Sequence, residues 1–263
     1  MKNSLLLAGI NLRVSDLGRS GEFYRRLGFV EVARESGWSR FATSASGPTL
    51  LTLTDGCRAG QPTRDAAGLF HAALLLPNRP ALGAWLRAAA AREVELDGLS
   101  DHGVSEAIYL SDPDGNGLEF YADRPSDLWP RNAEGLAMNT RALDWRDLLT
   151  AASNEDGGIL EGSQWGHVHL RVTDLERSER FYCEHLGLTV TQRSYPGARF
   201  LAADGYHHHV AINTWGNPRS PWQPDTPGLG EAVIGLAGRT AGERVVDPDG
   251  IPLRLEPIAA GKS

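Results

Sequence analysis

Residues 106–121 read EAIYLSDPDGNGLEFY, two short apolar runs around a turn signal. Ala107–Leu110 and Leu118–Tyr121 have the composition of strands. Between them, Asp112-Pro113-Asp114-Gly115-Asn116-Gly117 supplies a proline that presets one φ, and Gly or Asn wherever φ must be positive. A hairpin centred near Asp114 sets Tyr109 opposite Glu119 on one face and turns Leu118 and Phe120 to the other. A carboxylate flanked by Leu and Phe on a strand is either a solvated outward residue or a ligand inside a concave sheet. Its company elsewhere in the chain has to decide.

That company is a repeat. Asn11–Val30, NLRVSDLGRSGEFYRRLGFV, returns 158 positions later as His169–Val190, HLRVTDLERSERFYCEHLGLTV. Each copy reads as a strand, then a helix capped by Asp16 or Asp174, then a stop at Gly28 or Gly187. Ser111–Glu119, SDPDGNGLE, is echoed 135 positions later by Val246–Arg254, VDPDGIPLR. The second shift is the shorter, so the second half has lost residues.

The first half reads as Leu5–Val14 (strand), Asp16–Leu27 (helix), then strands at Phe29–Ala33, Ser39–Thr43 and Thr49–Thr54. After a polar loop at Asp55–Ala67 the order recurs, with strand Phe70–Leu76, helix Pro80–Ala91, strand Glu93–Asp97 and the opening hairpin. Arg124–Gly158 reads as a connection with one short helix at Trp145–Thr150. A third unit follows at Gly166–Trp215. A fourth, from about Glu231 to Glu256, has no room for a helix.

With 263 residues, 41% hydrophobic and 22% charged, the chain can bury a substantial core. A net charge of −7 without a basic cluster argues against a nucleic-acid partner, and no segment suggests a membrane one. Ser4–Ala8 is too short to span a membrane and reads as the approach to the first strand. Cys57 and Cys183 lack ligand spacing, which fits free thiols in a reducing cytoplasm.

Four β-α-β-β-β units, the LRVxDLxRSxxFY signature and the DPDGNGLEFYAD ending resemble the vicinal oxygen chelate superfamily, which includes glyoxalases, extradiol catechol dioxygenases and fosfomycin-resistance proteins. The resemblance implies an α+β fold of tandem βαβββ modules, four here with the last truncated, forming two half-open barrel domains. The chain then divides into an N-terminal domain of two modules at 1–125, a connection at 126–160 and a C-terminal domain at 161–263.

In this superfamily metal ligands come from the first and last strands of units. Those places hold Gly9 in the first unit, His71 and Glu119 in the second, and His167 in the third. The fourth has Glu231 near its start and Arg254 at its end. The resemblance therefore implies a metal site of His71, Glu119 and His167, with His169 as an alternative ligand to His167. Because these residues survive in units two and three, those two are expected to pair, leaving one and four as a metal-free half. Two imidazoles and one carboxylate suit ferrous iron with three open coordination positions, and manganese fits the same donors.

Gly205–Asn213, GYHHHVAIN, looks like the HHxxA strand of extradiol dioxygenases. Matched on it, His208 becomes the acid-base residue, with His207 and His209 turned to the opposite face by strand alternation. Tyr109 falls where the family places a substrate-binding tyrosine, and His102 where it often places another polar group. His185 reads as a surface residue. Trp165, Trp215, Trp222 and Phe200 are candidate pocket walls.

The resemblance thus implies an iron(II)-dependent extradiol dioxygenase of the catechol 2,3-dioxygenase type, giving a 2-hydroxymuconic semialdehyde-type product. Its partners are then a small aromatic diol and dioxygen, and a homo-oligomer stays open. The rival readings are a glyoxalase-like isomerase or lyase using nickel or zinc, and a metal-free protein that binds an aromatic ligand.

Overall fold

The structure, a computed structural model, describes residues 4–58, 65–152 and 160–258. Residues 59–64 of the polar loop and 153–159 of the connection lie outside the described residues. The first module is β1 (Leu5–Arg13), α1 (Leu17–Leu27), β2 (Val30–Glu35), β3 (Trp38–Ala42) and β4 (Leu51–Thr54). The second is β5 (Gly68–Leu75), α2 (Arg79–Ala91), β6 (Gly98–Asp101), β7 (Ser105–Ser111) and β8 (Gly117–Asp123). Short strands β9 (Arg131–Asn132), β10 (Gly135–Leu136) and β11 (Arg141–Ala142) and helix α3 (Trp145–Thr150) form the connection. The third module is β12 (Gln164–Arg171), α4 (Leu175–Leu186), β13 (Thr189–Gln192), β14 (Ala198–Ala202) and β15 (Val210–Asn213). The fourth, β16 (Gly228–Ala237), β17 (Glu243–Val246) and β18 (Pro252–Ile258), has no helix among the described residues.

Local chemistry accounts for the caps. Asp16 accepts from Arg19 N and Asp174 from Arg177 N, and both helices end at a glycine in the left-handed region, Gly28 at φ 107° and Gly187 at φ 69°. The strand expected at Glu93–Asp97 forms instead at Gly98–Asp101. Glu93 turns the chain with φ 53° after α2, Val94 drops into the core, and pairing starts where β6 meets β7.

Sixteen strands share one mixed sheet that curls into two half-open barrels. Within each module the last strand returns parallel beside the first, so that Ala73 faces Glu119 and Val233 faces Arg254. Between modules the first strands pair antiparallel, β5 with β12 and β1 with β16. Modules two and three therefore build one half-barrel, and one and four the other. A bridge from Leu7 to Trp165 joins the two.

The two repeated motifs meet in space. Asp114 accepts from the amide and hydroxyl of Ser15 and pairs with Arg19, while the Tyr24 hydroxyl donates to Asp112 at 3.1 Å. The copy is faithful: Asp249 accepts from the amide and hydroxyl of Thr173 and pairs with Arg177, and Tyr182 donates to Asp247 at 3.1 Å. Each DPDG turn thus locks the start of the preceding module's helix. The same sequence half that is split between barrels by strand pairing is held together by this contact.

These locks carry a cost at neutral pH. Burial pushes the Asp247 carboxyl up to about 6 from its ordinary 3.8, against the hydrogen bonds from Ile251 and Asp249. Between those two values the folded chain binds more protons than the unfolded one, so this group's contribution to stability falls as pH rises through the window. Asp247→Asn, which keeps the oxygen that accepts from Asp249 and Ile251 and turns an amide N–H to the Tyr182 hydroxyl oxygen, is expected to stabilise the fold by on the order of 2 kcal/mol above about pH 7 and by little near pH 4. Urea unfolding at both pH values checks this, and equal gains at both would refute it.

Candidate metal centre

The floor of the second half-barrel is set by three strands. On β8, Glu119 lies opposite Tyr109 of β7, so both point into the barrel, while Phe120 points out and stacks on Trp85 of α2 at 4.0 Å. On β5 and β12, His71 and His169 are cross-strand partners. His167 sits next to them because β12 is bulged: Trp165 pairs with Leu74 and His167 with Ala73, leaving Gly166 without a partner. A bulge reverses the face reached by simple alternation. Trp165 therefore turns outward into the core, donating from Nε1 to Leu50 O, while His167 turns inward. This is why Trp165, expected in the pocket wall, is absent from it. Trp222 is absent too; it bonds Leu229 O and lies under the Arg13 guanidinium.

Gly166 also makes room. A Cβ there would meet the Tyr121 hydroxyl at 1.7 Å, and that hydroxyl is bonded to Tyr206 at 2.7 Å. Gly166→Ala is expected to cost about 1–3 kcal/mol by overpacking and to break the tyrosine pair. Thermal unfolding reads the first effect, and an unchanged Tm would refute it.

His71, Glu119 and His167 each offer a ligand atom within 4.8 Å of the others, and all three are buried. Glu119 Oε2 lies 2.9 Å from His71 Nε2 and 3.2 Å from His167 Nε2. The His71 contact is not a well-formed hydrogen bond, and His71 Nε2 is left buried without a partner. Lone pairs so gathered around one point are what a divalent cation would relieve. Burial holds the His167 imidazole down at about 4, although Glu119 works to raise it, so it is neutral, the form that ligates. Burial also works to raise the Glu119 carboxyl, yet the imidazoles of His167 and His71 hold it well below the usual carboxylate range. The donor set thus fits a metal that accepts nitrogen and oxygen ligands.

The cavity over this cluster has a volume of about 300 Å³. Its wall includes Phe70, Val104, Met138, Phe200 and Trp215, so two of the four aromatic walls expected from sequence are in place. His208 lines it as expected, its ring 4.0 Å from that of His167. Tyr109 and His102 line it together, His102 Nε2 bonding the Tyr109 hydroxyl at 2.7 Å. His102 Nδ1 is tied to Asn139 O at 2.9 Å. Burial, with the Glu119 carboxylate nearby, keeps the Tyr109 phenol protonated well past its ordinary range.

His169 faces the cavity beside the cluster, its ring 4.9 Å from that of His71, but is not part of it. His185 is exposed, as expected. Of the three histidines only His208 lines the cavity, as expected, but not by strand alternation. Residues 207–209 precede β15 and are not extended strand, and His207 bonds directly to His208. Met138 and Thr140, which also reach the cavity, come from the connection. They carry no sequence signal, since it is the pairing of β11 with β6 that draws this segment over the site.

The other half-barrel shows what replaced the site. In matching register, Gly9 stands for His167, Glu231 for His71 and Arg254 for Glu119. Arg254 pairs with Glu231 at 3.0 Å, so a guanidinium supplies there a positive charge where the half-barrel of modules two and three places the Glu119 carboxylate between two imidazoles.

The model of the Glyoxalase/Bleomycin resistance protein/Dioxygenase superfamily matches residues 6–120 and 164–241. The chain belongs to this superfamily. A Bacillus subtilis (strain 168) protein named catechol-2,3-dioxygenase is 39% identical over 218 residues, covering 81% of this chain and 76% of that protein. Among solved structures, a candidate dioxygenase from Bacillus subtilis subsp. subtilis str. 168 aligns with a TM-score of 0.65 at 12% identity, over 95% of this chain and 84% of the other. Glyoxalase I from Zea mays aligns at 0.57 and 16% identity, over 97% and 92%. At those identities the structural likeness speaks for the superfamily fold alone. No helix of this superfamily member is long and apolar enough to cross a membrane among the described residues.

Proposed function

We propose that the protein is an iron(II)-dependent extradiol dioxygenase that opens a catechol ring beside the diol, giving a 2-hydroxymuconic semialdehyde-type product. The observation that carries this reading is the His71–Glu119–His167 cluster on the floor of a cavity that also holds His208 and Tyr109. The 39% identical relative named catechol-2,3-dioxygenase supports it. His71, Glu119 and His167 would hold the ion. When bound, ferrous iron lowers the pKa of a coordinated hydroxyl and holds both reactants in one coordination sphere. Manganese suits the same donors.

The chain's own residues do the rest. Burial, reinforced by the surrounding imidazoles, keeps His208 neutral, so that it can take a hydroxyl proton from the diol. Tyr109, protonated and donating to His102 Nε2, keeps an oxygen lone pair that accepts from a diol hydroxyl. Phe200, Trp215 and Phe70 exclude water from the ring. No lysine or arginine is among the described lining residues, which favours a diol ring without an anionic substituent.

The test loads metal-free protein with ferrous iron anaerobically, adds oxygen and follows the yellow ring-opened product. Cleavage is expected with catechol and alkyl catechols, and much less with a catechol that bears a ring carboxylate. Iron bound without product from any catechol would overturn the reading.

A further inference from the structure

The His207 side chain takes no part in the reading above, yet it is the most enclosed histidine in the molecule, with no exposure to solvent. Its Nδ1 lies 2.7 Å from Nδ1 of His208, and its Nε2 lies 2.8 Å from Oδ1 of Asp123. Asp123 stands four residues after Glu119 on β8, on the same face, and is a quarter exposed at a separate cleft lined by Leu75, Pro77 and Gln164. The backbone around this pair is fixed: Thr191 Oγ1 donates to His207 O, and His209 N donates to Leu201 O. Tyr206 covers the His207 ring at 4.0 Å and Trp129 closes its edge at 5.2 Å.

We infer that Asp123 and His207 are positioning residues that set the tautomer of His208, leaving its Nε2 bare toward the cavity. The logic is a count of donors and acceptors with one proton on each imidazole. A carboxylate can only accept, so with a single proton on the wholly buried His207 ring Asp123 requires it to sit on Nε2. His207 Nδ1 is then a lone pair. Two ring nitrogens 2.7 Å apart need one hydrogen between them, so Nδ1 of His208 must carry it. The one remaining nitrogen of His208, Nε2, is left as an acceptor. No other hydrogen-bond partner of the His208 ring is needed to reach this result. The arrangement serves any chemistry in which His208 is the base, and its tie to ring cleavage rests on the proposed function.

The experiment uses metal-free, full-length protein with ¹⁵N-labelled histidine, and reads tautomers from long-range ¹⁵N–¹H correlations at neutral pH. Expected are the Nδ1–H form for His208 and the Nε2–H form for His207. In Asp123→Asn the side-chain amide can donate to His207 Nε2, reversing the chain of donors, and His208 is expected to shift toward Nε2–H. If that variant does not fold, His207→Phe removes the acceptor for His208 Nδ1 and predicts the same shift. An Nε2–H form of His208 in the unmodified protein, or no change in the folded variants, would overturn the inference whether or not catechol is cleaved. If ring cleavage is found, Asp123→Asn is expected to lower kcat about 10²-fold or more with KM within about twofold, because geometry survives while the wrong nitrogen carries the proton. Asp123→Glu is expected to recover part of the loss. A loss confined to KM would count against it.

Discussion

Glu119→Gln is expected to remove the stabilisation of the protein by ferrous iron while leaving its fold intact. In the unmodified chain a metal at about 100 times its dissociation constant is expected to stabilise by about 2.7 kcal/mol, which for a chain of this size raises Tm by about 5–10 °C. The carboxylate is the one anionic donor in the cluster and touches both imidazoles, so its loss removes the charge that balances the cation. Glutamine is nearly isosteric, and the hairpin that carries it is fixed by backbone pairing on both sides. The metal-dependent rise in Tm is therefore expected to vanish, together with ring cleavage, while cooperative unfolding of the metal-free variant persists. Thermal scans with and without ferrous iron under argon measure this. A variant that still gains several degrees from iron would remove Glu119 from the site.

His208→Phe separates binding from chemistry. His208 is not in the three-residue cluster, so the variant is expected to keep the iron-dependent rise in Tm. Its ring packs between His167 and Phe200, at 4.0 and 5.0 Å, a setting that accepts a phenyl group of similar shape. What the variant lacks is the proposed base, and general acid-base catalysis is worth about 10²–10⁴ in rate. The expected result is a fall in kcat of that size with unchanged iron content. Full activity in the variant would assign the proton transfer elsewhere, with Tyr109 and His102 the next groups in reach of the cavity.

The parts of the site that were legible in the sequence are those written in local code. Turn chemistry fixed the hairpin and hence the Tyr109–Glu119 register, and the resemblance to the superfamily singled out His71 and His167 at the first-strand places of units two and three. The parts that were not legible break the local rules. Trp165 and His167 are two residues apart and would share a face in a regular strand, but the bulge at Gly166 separates them. His207 and His208 would face apart in a strand, but the chain there is bent and the two rings bond.

By itself the sequence determined the modules, their order, their caps and the truncation of the last, because strand alternation, helix periodicity and turn preferences act over a few residues. It showed the DPDG motif twice, but that each copy locks a helix of the preceding module came only from the structure. Only the tertiary structure decided that module two pairs with module three, and so that His71, Glu119 and His167 meet. The reason is physical. An exposed first strand offers the same row of backbone donors and acceptors to any partner, so the choice depends on which pairing buries the most apolar surface over the whole chain. That choice, together with one bulge, turned the carboxylate of EAIYLSDPDGNGLEFY from a residue beside a turn into the centre of a buried cluster.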